Sequence, residues 1–372
     1  MKRRTMLYSM VSAAGGVFAP GLLGSQAKAQ YFGGELSEPN GPLAAPWAAW
    51  KAAFLAEDGR VVDALQQGAS HSESQGYGLL LAALLGDNSA FDSIYRWTEA
   101  NLAVRSDALL AWRWLPDSVN RVPDKNNASD GDLFYAWGLV IRGQRDAMPQ
   151  LLERASAMAR DLVAKCVIEA PDGSGRLLFT PAAQGFDRGD GVIINPSYYM
   201  PRALRAVAQV TGQGDLATCA SDGETLLAQL AGGGLVPDWI RVGPDGLSTV
   251  EGMSARNGYD ALRVALFMIW SGNANQVAVT SQALAYQRAA NSGRLGQGEY
   301  VTVFDRLSGN VIETSRHVGY GAIAAYVNCS VTTQFGAPIP FFQTVDQPYY
   351  PATLHLMTLI SQIQTASTCE PI

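Results

Sequence analysis

Ser72-Glu73-Ser74-Gln75-Gly76-Tyr77-Gly78-Leu79-Leu80-Leu81-Ala82-Ala83-Leu84-Leu85 opens polar and then turns apolar on every side. Ser72 followed three residues later by Gln75 reads as a capping box, which puts Glu73 at the first helical position. A helix that is apolar all round is buried. Residues 261–270 read in the same way, whereas 148–166 is amphipathic and charged and buries one stripe only. Apolar residues recur at helical spacing over 47–55, 76–85, 91–102, 133–141, 148–166, 198–210, 226–230, 261–270, 281–289, 320–327 and 353–363. Strand-like runs are few, Leu177–Phe179 and Tyr300–Phe304. The chain therefore reads as all-α, about a dozen helices alternating between buried and half-buried. Alternation of that kind describes two concentric layers, an α/α barrel.

The composition agrees with a large core. Of 372 residues 48% are hydrophobic and only 16% charged, which excludes wholesale disorder. Lys2, Arg3 and Arg4, an apolar stretch from Met6 to Leu23 and Ala27-Lys28-Ala29 form an export signal over residues 1–29. Gly15, Gly16, Pro20 and Gly21 interrupt the stretch and argue against a retained membrane anchor. Arg3-Arg4 leaves the general and the twin-arginine routes open, so the location is secreted or periplasmic. Residues 30–372 lack a Pro/Ser/Thr linker and read as a single domain. Residues 1–29 carry four basic and no acidic residues, so their removal takes the formal net charge from −6 to −10. An acidic chain with no basic run argues against nucleic acid and against an anionic lipid surface. A neutral polymer is a compatible partner. Four cysteines, Cys166, Cys219, Cys329 and Cys369, lie too far apart for a metal knuckle. Export allows one or two disulfides in any of three pairings, or free buried thiols.

Four stretches carry chemistry, each beside a helix start. Glu73 is in the first. Asn127-Ala128-Ser129-Asp130-Gly131-Asp132 places two carboxylates within three residues of an apolar helix, without the alternate oxygen ligands of a calcium loop. Asn195-Pro196-Ser197-Tyr198-Tyr199 has an N-cap, a proline at the first helical position and a tyrosine for the helix mouth. Gly258-Tyr259-Asp260-Ala261-Leu262-Arg263 sets Asp260 and Arg263 on one helix face, where an ion pair would hold the carboxylate ionised. On spacing alone each stretch also has a plain structural reading: a dipole-complementing acid, a doubly acidic cap, core aromatics, an ordinary ion pair. Jointly they say more. In a barrel of alternating helices the inner N-termini meet at one mouth, where Glu73, Asp130, Asp132, Tyr198, Asp260 and Arg263 would converge. One protonated and one ionised carboxyl in a cleft is what glycoside hydrolysis requires. Of eight tryptophans, Trp137, Trp239 and Trp270 read as core. Trp112 and Trp114 in Trp112-Arg113-Trp114 read as candidate platforms for sugar rings.

These blocks resemble glycoside hydrolase family 8, and within it the cellulases encoded beside bacterial cellulose synthases. Ala128-Ser129-Asp130-Gly131-Asp132-Leu133-Phe134-Tyr135-Ala136-Trp137 is similar to the family signature. Ser72 to Gly78 resembles the segment of the proton donor, and Tyr259-Asp260-Ala261-Leu262-Arg263 that of the base. Asn195-Pro196-Ser197-Tyr198 and Leu110-Ala111-Trp112-Arg113-Trp114 are similar to two further blocks. The resemblance spans the chain after its signal. It implies an (α/α)6 barrel with a few short strands in loops. It also implies inverting endo-β-1,4-glucanase activity on cellulose, with Glu73 as acid, Asp260 as base and Asp130 beside the distorted sugar. Tyr198 and Arg263 would hold water, base or sugar, and Asp132, Trp112 and Trp114 would bind substrate. No cofactor or metal is implied, and a cellulose synthase complex is the implied partner. The family often has glycine where this chain has Ser74, beside the acid. It also contains enzymes for chitosan and xylan, so those polymers stay open, as does a non-catalytic glucan-binding role in cellulose export.

Overall fold

The computed structural model describes residues 36–37, 41–331, 338–366 and 368–369. The expected export signal lies outside the described residues. Eleven helices are described: α1 (Ala44–Phe54), α2 (Ser72–Leu84), α3 (Asn88–Asn101), α4 (Ser129–Arg145), α5 (Pro149–Cys166), α6 (Pro201–Thr211), α7 (Gly214–Gly232), α8 (Leu262–Trp270), α9 (Val277–Asn291), α10 (Val318–Val331) and α11 (Tyr349–Thr365). Each expected helical stretch falls on one of them. α2, α4, α8, α10 and α11 are buried on nearly every side. α1, α3, α5, α7 and α9 each bury one stripe. α6 fills the inner position between α4 and α8 with an amphipathic sequence. The arrangement is the (α/α)6 barrel, and the described residues 338–348 between α10 and α11 carry no helix.

The two ends of the barrel differ. Four inner helices lead into outer ones through short turns that pass a left-handed residue: Gly86, Ala147, Gly212 and Gly272. The connections from outer to inner helices are long and carry every described strand. β1 (Ser70–His71) pairs antiparallel with β2 (Arg113–Trp114), and β3 (Val167–Glu169) with β4 (Leu177–Phe179). β5 (Val192–Ile194), β6 (Ile240–Gly243) and β7 (Gly246–Ser248) form a three-stranded sheet, and β8 (Tyr300–Phe304) pairs with β9 (Val311–Ser315). Only β4 and β8 were legible as apolar runs; β9 is as long as β8 but mostly exposed, and the remaining strands have two to four residues.

Two helix starts differ from expectation by one residue. Ser72 is itself helical and His71 is the N-cap, its backbone N–H donating to Ser74 Oγ at 3.1 Å. Ser74 thus closes the cap expected of Gln75. The Gln75 amide instead accepts from Val61 N–H at 2.6 Å and donates to Thr98 Oγ1 at 2.7 Å. Ser129 with Asp132 also reads as a cap and its partner, yet α4 already starts at Ser129, whose hydroxyl donates to Thr180 O at 2.6 Å. Cys329 and Cys369 form a disulfide that ties the chain beyond the end of α11 to α10. Cys166 and Cys219 are buried free thiols, each pushed up to about 12 by burial, and therefore inert.

α2 and α4 touch through glycine. A Cβ on Gly76 would meet Gly131 O at 2.7 Å, and one on Gly131 would meet Glu73 N at 2.6 Å. Backbone thus lies on backbone at the end that carries Glu73 and Asp130. Gly131→Ala sets two effects against each other. Alanine gains about 1 kcal/mol of helix propensity. Overpacking costs roughly 1–3 kcal/mol, and a backbone neighbour cannot rotate away. Overpacking should win, so G131A should unfold at a lower temperature than the native chain in a calorimetric scan.

Candidate active site

Glu73 is the second residue of α2, Asp130 the second of α4 and Arg263 the second of α8. Asp260 stands two residues ahead of α8, in a turn rather than in the helix. Arg263 joins them. Its Nη1 donates to Glu73 Oε2 at 2.6 Å, and its Nη2 lies 3.5 Å from Asp130 Oδ2 and 3.2 Å from Asp260 Oδ1. Nη1 also donates to Tyr77 Oη at 2.7 Å and Nε to Ser197 Oγ at 3.0 Å. Ser197 in turn donates to Asn195 Oδ1 at 2.7 Å. Tyr198 lies in a 3-10 turn, Pro196–Tyr198, with its ring under the guanidinium at 5.7 Å. α6 starts only at Pro201, where Arg202 donates to Trp270 O at the far end of α8. The N-termini of α2, α4, α8, α10 and α11 meet at the mouth as expected, and that of α6 does not.

Burial opposes the charge on Arg263, but Tyr77, Tyr350, Glu73 and Asp260 around it outweigh that, so it stays firmly protonated. Three carboxylates share this one guanidinium, and burial decides how their charges divide. Asp130, 1% exposed, is pushed up to about 8, by burial first and by Glu73 second, against the pull of Arg263. Burial and the neighbouring Glu73 thus both favour the protonated form of Asp130. Asp260 is also raised, chiefly by burial, with Asp238 and Glu73 adding to it and Arg263 and Asn195 opposing. The pairing with Arg263 alone does not hold it in the usual carboxylate range.

Glu73 and Asp260 both line a cleft of about 510 Å³, together with Asp63, Tyr259, His317, Tyr320 and Tyr350. Asp130, Arg263 and Tyr198 form its floor and are not among the lining groups. The tyrosines and Asp63 were missed in the sequence. Tyr259 adjoins the base candidate and Tyr350 opens α11, the only signals available. Asp63 is held below its usual range, His71 3.7 Å away outweighing burial. Asp132 does not converge. It is wholly buried behind the mouth, its carboxylate accepting from Leu110 N–H at 2.8 Å and Asn127 Nδ2 at 3.0 Å, and burial pushes it up to about 7. Trp114 is not an open platform: Arg60 and Arg121 lie over its ring at 5.0 and 5.2 Å and Trp97 meets it edge-on. Trp112 is half-buried, its indole donating to Asp124 at 2.9 Å, and its backbone carbonyl receives Ser72 N–H at the start of α2. Trp137 and Trp270 are core, as expected. Trp239 is not: it is half-buried, stacked on Phe186 at 5.9 Å and tilted against Tyr198. Among the described residues no group of three or more His, Cys, Asp or Glu is placed to hold a metal ion. Carboxyls in different charge states on one cleft can give and take protons across a bound molecule.

The family model for glycosyl hydrolases family 8 matches residues 32–363. A probable endoglucanase of Novacetimonas hansenii is 37% identical over 233 residues, 62% of this chain and 67% of that protein. An endoglucanase of Cellulomonas uda is 34% identical over 60% of this chain and 62% of its own length. The matched part thus spans about two thirds of these relatives or slightly less. The solved endo-beta-1,4-glucanase CMCax from Acetobacter xylinum superposes with a TM-score of 0.73 at 30% identity, covering 86% of this chain and 97% of that one.

The state of Asp130 gives a stability test. Its folded value, about 8, lies above its ordinary value of 3.8, so the folded chain binds a proton that the unfolded chain lacks. That contribution is complete below 3.8 and is lost as pH rises through about 8. Asp130→Asn fixes the neutral form. In denaturant titrations D130N should gain stability relative to the native chain as pH is raised from about 4 to about 8. A constant difference across that window would show that folding leaves the proton affinity of Asp130 unchanged.

Proposed function

The chain belongs to glycosyl hydrolases family 8, and from that premise we propose that it is an endo-β-1,4-glucanase that cuts cellulose-like chains by single displacement. The carrying observation is that Glu73 and Asp260 line one cleft while gripping the same guanidinium. Glu73 protonates the departing glycosidic oxygen. Asp260 takes a proton from a water that attacks the anomeric carbon from the opposite face. Asp130 and Arg263 beneath them set the charge balance, and Tyr198 supports the guanidinium. Two contacts to one guanidinium cap the nearest approach of the two carboxyls at about 8 Å. This admits the roughly 6.5–9.5 Å of single displacement and also the roughly 5–5.5 Å of double displacement.

Export through residues 1–29 to the periplasm or beyond belongs to the same proposal, supported by the Cys329–Cys369 bridge. So does service beside a cellulose synthase complex, supported by the likeness of the motif blocks. Trimming a nascent glucan needs the enzyme where the chain emerges. No described helix is long and apolar enough to cross a membrane.

Reducing ends released from carboxymethyl cellulose, chitosan and xylan test the substrate class. Release from the cellulose derivative should dominate, and dominance of either other polymer would move the reading to it. Glu73→Gln should lower the rate by at least about 10², the usual worth of general acid catalysis. Retention of more than about a tenth of the rate would remove Glu73 from that role. Proton NMR of a fresh digest should show the α-anomer first, since one displacement inverts the centre once. A β-anomer first would make Asp260 a nucleophile.

Trp112→Ala should weaken binding of long cello-oligosaccharides by about 0.5–1.5 kcal/mol in calorimetric titration, the scale of an aromatic stack. Trp114→Ala, which removes the ring between two guanidiniums, should chiefly lower the melting temperature.

A further inference from the structure

The turn that presents Asp260 is closed from outside. Asp238, 6% exposed and two residues ahead of β6, reaches into it. Its Oδ1 accepts from Gly258 N–H at 3.0 Å and from Ala261 N–H at 2.9 Å, on either side of Asp260. Its Oδ2 accepts from the Ser254 hydroxyl at 2.7 Å. Gly258 makes room for it, because a Cβ there would lie 2.6 Å from Oδ2. The two segments are also laced by backbone: Asp238 N–H donates to Arg256 O at 2.7 Å and Trp239 N–H to Ser254 O at 3.0 Å. Asn257 Nδ2 donates to Val236 O at 2.9 Å. Among the described residues no cation pairs with Asp238. All its donors are neutral, so its charge acts on Asp260 uncancelled.

We propose that Asp238 is a positioning residue for Asp260, fixing the turn so that the Asp260 carboxylate faces the cleft and strengthening it as a base through an adjacent negative charge. The inference rests on the reading of Asp260 as the base. Hydrogen bonds from two backbone N–H groups to one carboxylate oxygen hold a turn more firmly than its own backbone would. The other groups facing Asp260 are Arg263, Glu73, Asp130, Asn195, Tyr198 and Tyr350. Of these only the carboxyls of Glu73 and Asp130 can add negative charge as Asp238 does.

Two variants separate geometry from charge. Asp238→Asn keeps an oxygen for both N–H groups and offers its amide to Ser254, whose hydroxyl can accept. Asp238→Ala removes every contact. On carboxymethyl cellulose D238A should lose at least about tenfold in kcat with KM changed less than about twofold, the mark of a misplaced reacting group. D238N should keep kcat at its optimum within about threefold. Its acidic limb should move to lower pH by about half a unit or more, since without the neighbouring charge Asp260 gives up its proton more readily. A native kcat in D238A, or an unmoved acidic limb in D238N, would overturn the inference. Should D238A fail to fold, the limb of D238N decides alone. Asp260→Ala is the control. If D260A is inactive while both Asp238 variants match the native chain, this inference fails by itself. Activity surviving in D260A overturns the base assignment and this inference with it.

Discussion

Arg263 is buried: its side chain is 2% exposed, and its hydrogen bonds and ion pairs reach four separate stretches of chain. A buried guanidinium stripped of its partners would carry several kcal/mol of uncompensated desolvation. Glu73, Asp130, Asp260, Tyr77 and Ser197 are therefore not free to drift, and neither are the helix starts that carry them. The mouth is rigid because one cation must be satisfied there. Glycine makes this possible: with side chains on Gly76 and Gly131 the starts of α2 and α4 would stand too far apart for both acids to reach the same guanidinium.

The barrel was legible because helix period and burial are local properties written into each stretch. The site was legible in part. Asp130 and Asp132 looked alike in sequence, but two residues along a helix is a turn of about 200°. One therefore faces α2 and Arg263, while the other faces the loop at Leu110. The shift of the first cap from Ser72 to His71 came from a side-chain choice no spacing rule foresees, since Ser74 and Gln75 both can bond backbone and Gln75 found Val61 instead. Trp114, Trp239 and Asp238 depend on contacts from distant stretches, Arg60 and Arg121 in one case, Phe186 in another, the 254–261 turn in the third. Short strands escaped for the same reason: pairing, not sequence period, creates them.

Charge balance is the last constraint. Three carboxylates against one guanidinium leave two negative charges too many if all are ionised, in a place where burial already raises Asp130 and Asp260. A neutral polysaccharide entering the cleft brings no cation to offset them and removes water that had screened them. The site must balance itself with protons. Burial favours the protonated form of both Asp130 and Asp260, while Glu73 has the shortest contact with Arg263. Groups coupled this closely titrate as a set, so a proton gained by one carboxyl changes the balance for its neighbours. A bound neutral molecule that displaces this water raises the cost of every charge left beside Arg263, so the site answers its ligand with protons rather than with counter-ions.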